Sequence, residues 1–260
     1  MWLIALAIFF TCKALTRRAV STKTVPQWRV WAYLLAWPGM NANRFFAPVN
    51  SPTLKIPAQS EWLAAAINLI AGVVIFWSAK YWIVPSQRIL LGWAGMIGTI
   101  LMLHFGSFYL LSCAWRSIGV DAPPLMNQPT RSTSVSEFWG RCWNTAFRDL
   151  THQFLFRPLA RRTSPIIALC LGFFISGVIH DIVISIPAEG GYGGPTAFFC
   201  IQAAAVLFER SPIGASLGLG RGWRGWLFTA VALLLPVRLL FHDPFVTRIA
   251  VPFMQACGAA

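Results

Sequence analysis

Two ionisable residues stand side by side inside an apolar run: His180 and Asp181 in CLGFFISGVIHDIVISIP. Charge at bilayer depth costs about 2.5–3.5 kcal/mol per residue on insertion scales, and such residues usually face a bundle interior or a wet cavity. A neutral imidazole there has the form that a general base needs. Gly172, Ser176, Gly177 and His180 fall on adjoining faces of one helix, which gives that helix a small, polar side. Neighbouring helical residues diverge by about 100°. Asp181 is therefore not the direct orienter of His180, and it is expected to pair with a basic residue on another helix. Two other roles remain open for this pair: a structural histidine bonded across helices, or the His-Asp proton or ion site of a membrane transporter or channel.

The second candidate is the segment 134–162, SVSEFWGRCWNTAFRDLTHQFLFRPLARR. Ser134-x-x-Glu137 reads as a capping box. Apolar residues then recur at helical spacing through Trp139, Trp143, Phe147 and Phe154. Glu137, Arg141, Asn144, Arg148 and His152 fall on one narrow stripe, so the spacing predicts an amphipathic helix that Pro158 closes. Its polar stripe is either an interfacial helix's solvated basic face or the wall of a cavity that handles a phosphate-bearing substrate.

Other polar residues carry less. His104, alone in LMLHFGSFYL, reads as structural or tunnel-lining, and His242-Asp243 as interfacial. The match of Gly214-Ala-Ser216-Leu-Gly218 to a nucleophile elbow lacks the preceding strand and the downstream histidine that the elbow requires. The six cysteines and four histidines show no C-x-x-C or H-E-x-x-H spacing, so no metal and no bound cofactor is expected.

The surrounding chain decides what positions these residues. Hydrophobic residues make up 57% of the 260 and charged residues 11%, too few for the polar shell of a soluble particle, where about 25% is usual. The composition predicts an all-α polytopic membrane protein, one integral membrane domain over 1–260. About six spans are expected, at 2–15, 61–79, 89–115, 165–187, 195–209 and 225–241. The Trp-rich stretch 28–40 is expected to be in-plane or re-entrant, and Pro252 to break the apolar tail 245–257. The N-terminus, without a basic n-region or a cleavage site, reads as a short first helix or the stump of a longer region.

The formal charge of +13 suits anionic headgroups rather than nucleic acid. Segments 13–60, 116–162 and 210–224 carry seven, seven and three basic residues, against two in 79–88 and none in 188–194. The six spans put all three basic segments on one side, the cytoplasmic side of a bacterial inner membrane or the endoplasmic reticulum.

The run Ser134–Asn144, SVSEFWGRCWN, resembles the first signature of the membrane-bound O-acyltransferase superfamily, in the form of its wax-synthase-like branch. Ser176-Gly-Val-Ile-His180-Asp181 resembles the second signature, 36 residues on. Gly191–Thr196, Glu209-Arg210 and Leu240–Phe245 also look like that branch. The resemblance covers roughly 130–250, with 1–120 as N-terminal membrane helices. The chain is short for the family, and Asp181 stands where the branch often has Glu. The resemblance implies acyl transfer from acyl-CoA, as co-substrate, to a hydroxyl such as that of a long-chain alcohol. It implies His180 as the catalytic histidine and Asn144 as its polar partner. Trp139, Trp143, Ser176 and Asp181 are the supporting residues. Arg141, Arg148 and Arg161-Arg162 are the expected partners of the CoA phosphates.

Overall fold

The computed structural model describes residues 1–21, 25–49 and 51–260. Lys23, one of the basic residues counted in 13–60, lies outside them. The described residues are helical, with no strand among them. Ten helical runs matter here: α1 Trp2–Arg18, α2 Gln27–Leu35, α3 Gln59–Trp82, α4 Arg88–Ser117, α5 over 135–142, α6 over 145–162, α7 Pro165–Ala188, α8 Gly194–Glu209, α9 Gly222–Leu240 and α10 over 243–256. All six expected spans are helices. Four of them (α3, α4, α7 and α9) are long and apolar enough to cross a membrane. At 1.5 Å per residue, α1 and α8 reach only about 26 and 24 Å, short of a hydrocarbon core about 30 Å thick. The nine residues of α2 fit an in-plane element and cannot span.

Local chemistry starts these helices. Ser164 accepts a 3.2 Å hydrogen bond from the Ile167 N–H, and Pro165 follows at the first helical position, where its missing N–H costs nothing. Three prolines sit inside helical runs just after a π turn: Pro158 in α6, Pro187 in α7 and Pro252 in α10. Each directly follows the first residue after a π turn, at His152–Phe156, Asp181–Ser185 and Val246–Ala250. A proline ring normally clashes with the carbonyl four residues back. The wider π turn reaches back five residues, and each proline enters at the start of a new α register. Pro158 therefore does not close its helix and Pro252 does not break the tail, contrary to both expectations.

The chain divides into two compact units. The N-terminal unit holds 2–126, 144–150 and 257–260. Its core gathers Tyr33, Trp37, Phe45 and Phe46 around Val120 and Ala122. Burial pushes the Tyr33 phenol up to about 12. The buried Lys13 ammonium lies 3.4 Å from the Tyr33 ring centroid and donates to the Gly39 carbonyl. Arg116 pairs with Glu61 at 2.7 Å where α4 ends and α3 begins, and Arg44 pairs with Asp121 at 2.8 Å.

The C-terminal unit holds Met1, 127–143 and 151–256. Within it α7 packs closely on α8. A Cβ on Gly177 would stand 2.6 Å from the Thr196 Cα, so only glycine permits this approach. Gln202, fully buried in α8, donates to the Ala232 carbonyl of α9 at 2.8 Å.

Candidate functional site

His180 is the last residue of the α-helical part of α7, directly before its π turn, a feature often found at functional sites. Its Nδ1 lies 2.7 Å from the Ser176 carbonyl oxygen. A carbonyl only accepts, so Nδ1 carries the proton and donates it, and in the neutral ring Nε2 holds the lone pair. The half-buried imidazole packs on Phe199 of α8, with centroids 4.5 Å apart. Trp139 lies on the same Phe199, at 5.5 Å, and near Phe173, at 6.1 Å. The second-signature histidine and the first-signature tryptophan thus share one aromatic wall. Trp139 also donates its indole N–H to the Gln202 side-chain oxygen at 3.3 Å.

α5, which carries Trp139, is fixed at its start by a carboxylate from α8. Glu209 accepts from the N–H of Val135 at 2.7 Å and of Ser136 at 2.8 Å, and from the Ser136 hydroxyl. Ser134 caps the helix by accepting from the Glu137 N–H at 2.9 Å. The return bond of the expected capping box is displaced by one residue: Glu137 accepts from the Thr133 N–H.

The predicted continuous stripe from Glu137 to His152 does not form. α5 ends at Cys142, Trp143 is extended, and Asn144 takes a left-handed conformation with φ +42°. Asparagine is among the few non-glycine residues that adopt it readily. Asn144 then begins α6, its Oδ1 accepting from the Phe147 N–H at 3.3 Å. Asn144 and Arg148 belong to the N-terminal unit, while Trp139, Arg141, Trp143, Ser176, His180 and Asp181 belong to the C-terminal unit. Trp143 stacks on Phe138, with centroids 5.5 Å apart. Arg141, Arg161 and Arg162 are exposed, and Arg148 pairs with Asp149 at 3.1 Å.

Asp181 departs from expectation. No described basic residue pairs with it. Instead it accepts from the Ser185 hydroxyl at 2.8 Å, the Gly193 N–H at 2.9 Å, the Thr196 N–H at 3.0 Å and the Thr196 hydroxyl. Four donors occupy its carboxylate and fix the first turn of α8, whose free N–H groups favour an anion. That use leaves little of the carboxylate for a travelling ion.

Sequence reasoning missed Phe199, Gln202, Ser185 and Thr196. An amide in the middle of an apolar span was the visible signal for Gln202. His242, two residues beyond the end of α9, is buried within the chain and lies within hydrogen-bond reach of Ser185. Among the described residues no group of three or more His, Cys, Asp or Glu side chains could hold a metal ion.

Residues 122–201, which contain both signatures and Phe199, match the model of the membrane bound O-acyl transferase family. The chain is 26% identical over 184 residues to a probable long-chain-alcohol O-fatty-acyltransferase 3 of Arabidopsis thaliana, covering 67% of this chain and 52% of that protein. It is 30% identical over 74 residues to the long-chain-alcohol O-fatty-acyltransferase of Simmondsia chinensis, covering 25% and 21%. It is also 30% identical over 106 residues to the acetyltransferase eriL of Hericium erinaceus, covering 34% and 26%. The chain spans about half the length of the first of these relatives and less of the others. Both signatures lie within the matched residues 122–201, and over that stretch the chain is similar to the membrane bound O-acyl transferase family and to long-chain-alcohol O-fatty-acyltransferases of plants.

Proposed function

We propose that this chain carries an acyltransferase centre that moves an acyl group from acyl-CoA to the hydroxyl of a long-chain alcohol, with His180 as general base. The observation that carries the reading is the Nδ1 bond to the Ser176 carbonyl. It fixes the tautomer and aims a basic Nε2 away from the helix backbone. Nε2 takes the proton from the alcohol as its oxygen attacks the thioester carbonyl. The tetrahedral adduct collapses, the C–S bond breaks, and the imidazolium returns the proton to the leaving thiolate. Ester and CoA thiol result, with no covalent enzyme intermediate.

Asn144 uses its Oδ1 as a helix cap. The aromatic wall of Trp139, Phe173 and Phe199 suits an apolar chain, and the exposed Arg141, Arg161 and Arg162 suit CoA phosphates. The excess of basic residues in 13–60, 116–162 and 210–224 supports a cytoplasmic side for that phosphate end. The acceptor class follows the names of the plant relatives.

The test is a product assay on the full chain in lipid nanodiscs. Acetyl-CoA and long-chain acyl-CoAs are offered with a panel of primary alcohols, and ester is identified by mass beside free thiol. Ester and thiol in equal amounts are expected. Thiol without ester, or neither with any donor, overturns the reading.

A further inference from the structure

We propose that His242 is a positioning residue for the centre: through Ser185 and Asp181 it holds the start of α8, and with it Phe199, against His180. The inference rests on the transferase reading above only for what that position serves.

The proton assignments follow from the donors present. His242 Nδ1 accepts from the Phe245 N–H at 3.2 Å, so Nδ1 is bare and the neutral ring carries its proton on Nε2. Nε2 lies 3.2 Å from the Ser185 hydroxyl and donates to it. The Ser185 hydroxyl spends its single proton on Asp181 at 2.8 Å, the shorter of two acceptors; the Gly191 carbonyl stands at 3.4 Å. Asp181 in turn takes the N–H groups of Gly193 and Thr196. Thr196 abuts Gly177, and Phe199 lies one turn further along α8. The chain from imidazole to hydroxyl to carboxylate to helix start is unbroken. Ser185 is fully buried and His242 nearly so, where an unmade hydrogen bond costs most.

Packing repeats the message. Three glycines of the 190–194 turn face the segment that carries His242. A Cβ on Gly191 would stand 2.2 Å from the His242 ring, one on Gly194 2.5 Å from the Leu239 carbonyl oxygen, and one on Gly190 3.1 Å from Pro244. At Gly191, with φ +71°, the backbone conformation also favours glycine. The turn is moulded onto this segment, and His242 is its polar anchor.

Two substitutions separate the anchor from the local helix cap. An asparagine amide overlies the Nδ1 position and a glutamine amide the Nε2 position. His242→Asn therefore keeps the cap to Phe245 and loses the link to Ser185, whereas His242→Gln does the reverse. Ser185→Ala removes the link from the other side. The readouts are amide hydrogen exchange at Gly193 and Thr196, and kcat against KM for ester formation. His242→Asn and Ser185→Ala are expected to speed exchange at both amides about ten-fold or more and to lower kcat about ten-fold, with KM for acyl-CoA within about two-fold. His242→Gln should stay near the parent in both. Parent-like exchange and kcat in His242→Asn overturn the proposal, as does a loss confined to His242→Gln. If the parent makes no ester, the transferase reading fails on its own, and the exchange rates alone decide the role of His242.

Discussion

The two units spend their carboxylates differently. In the N-terminal unit the acids Glu61 and Asp121 face arginines, Arg116 and Arg44, in ion pairs of 2.7 and 2.8 Å. In the C-terminal unit the acids Asp181 and Glu209 are surrounded by backbone N–H groups and hydroxyls at the starts of α8 and α5. An ion pair ties two elements together and does little else. A carboxylate seated on a helix start fixes where that helix begins, and therefore which residues its first turns present. The elements so fixed carry Phe199 and Trp139, the wall beside His180. Glu61 and Asp121 staple, as does Asp243 of the C-terminal unit, which pairs with Arg238 at 2.8 Å; Asp181 and Glu209 aim.

That contrast can be broken. The largest effect is expected from Glu61→Ala, which leaves the buried Arg116 unpaired and should cost about 3 kcal/mol of stability. Adding Arg116→Met should recover most of it, and turnover per folded molecule should hold, as read from apparent Tm and active-fraction kinetics. Glu209→Ala should cost somewhat less, about 1–3 kcal/mol, yet should lower kcat as well as Tm, because the start of α5 goes with it. If Glu61→Ala lowers kcat and Glu209→Ala does not, the contrast is reversed.

The smallest effect is one of pH. Burial holds the His242 imidazole below its ordinary value of 6.5, while the charges of Asp181 and Asp243 oppose this. The folded ring therefore resists a proton that the unfolded chain accepts. Stability should fall as pH drops below about 6.5, with a shallower fall in His242→Gln. Apparent Tm at pH 7.5 and 5.5 measures it, and equal slopes would remove His242 as the titrating group.

The contrast also marks where the amino-acid sequence was readable. Apolar runs placed six helices within a few residues of their bounds, because burying or lipidating a 20-residue stretch is a local matter of composition. The two signatures placed His180 and Trp139, although nothing in them announced Phe199, the residue on which both lie. The stripe through Asn144 failed because a 100° periodicity assumes one backbone state throughout, and a single left-handed residue resets the phase. Pro158 misled for a related reason: a π turn is a backbone accommodation without a side-chain signature. The partners of Asp181 and His242 were illegible because they are set by tertiary register. Ser185 and His242 are 57 residues apart in the chain.

The central claim is that Nε2 of His180 accepts the acceptor's proton. Its most direct test is single-turnover ester formation by His180→Ala, with acyl-CoA binding measured on the same preparation. The account predicts unchanged donor binding and a loss of about 100-fold or more in the rate of ester formation, the scale of a general base. Ester formation at the parent rate, in protein that binds acyl-CoA equally well, would contradict it.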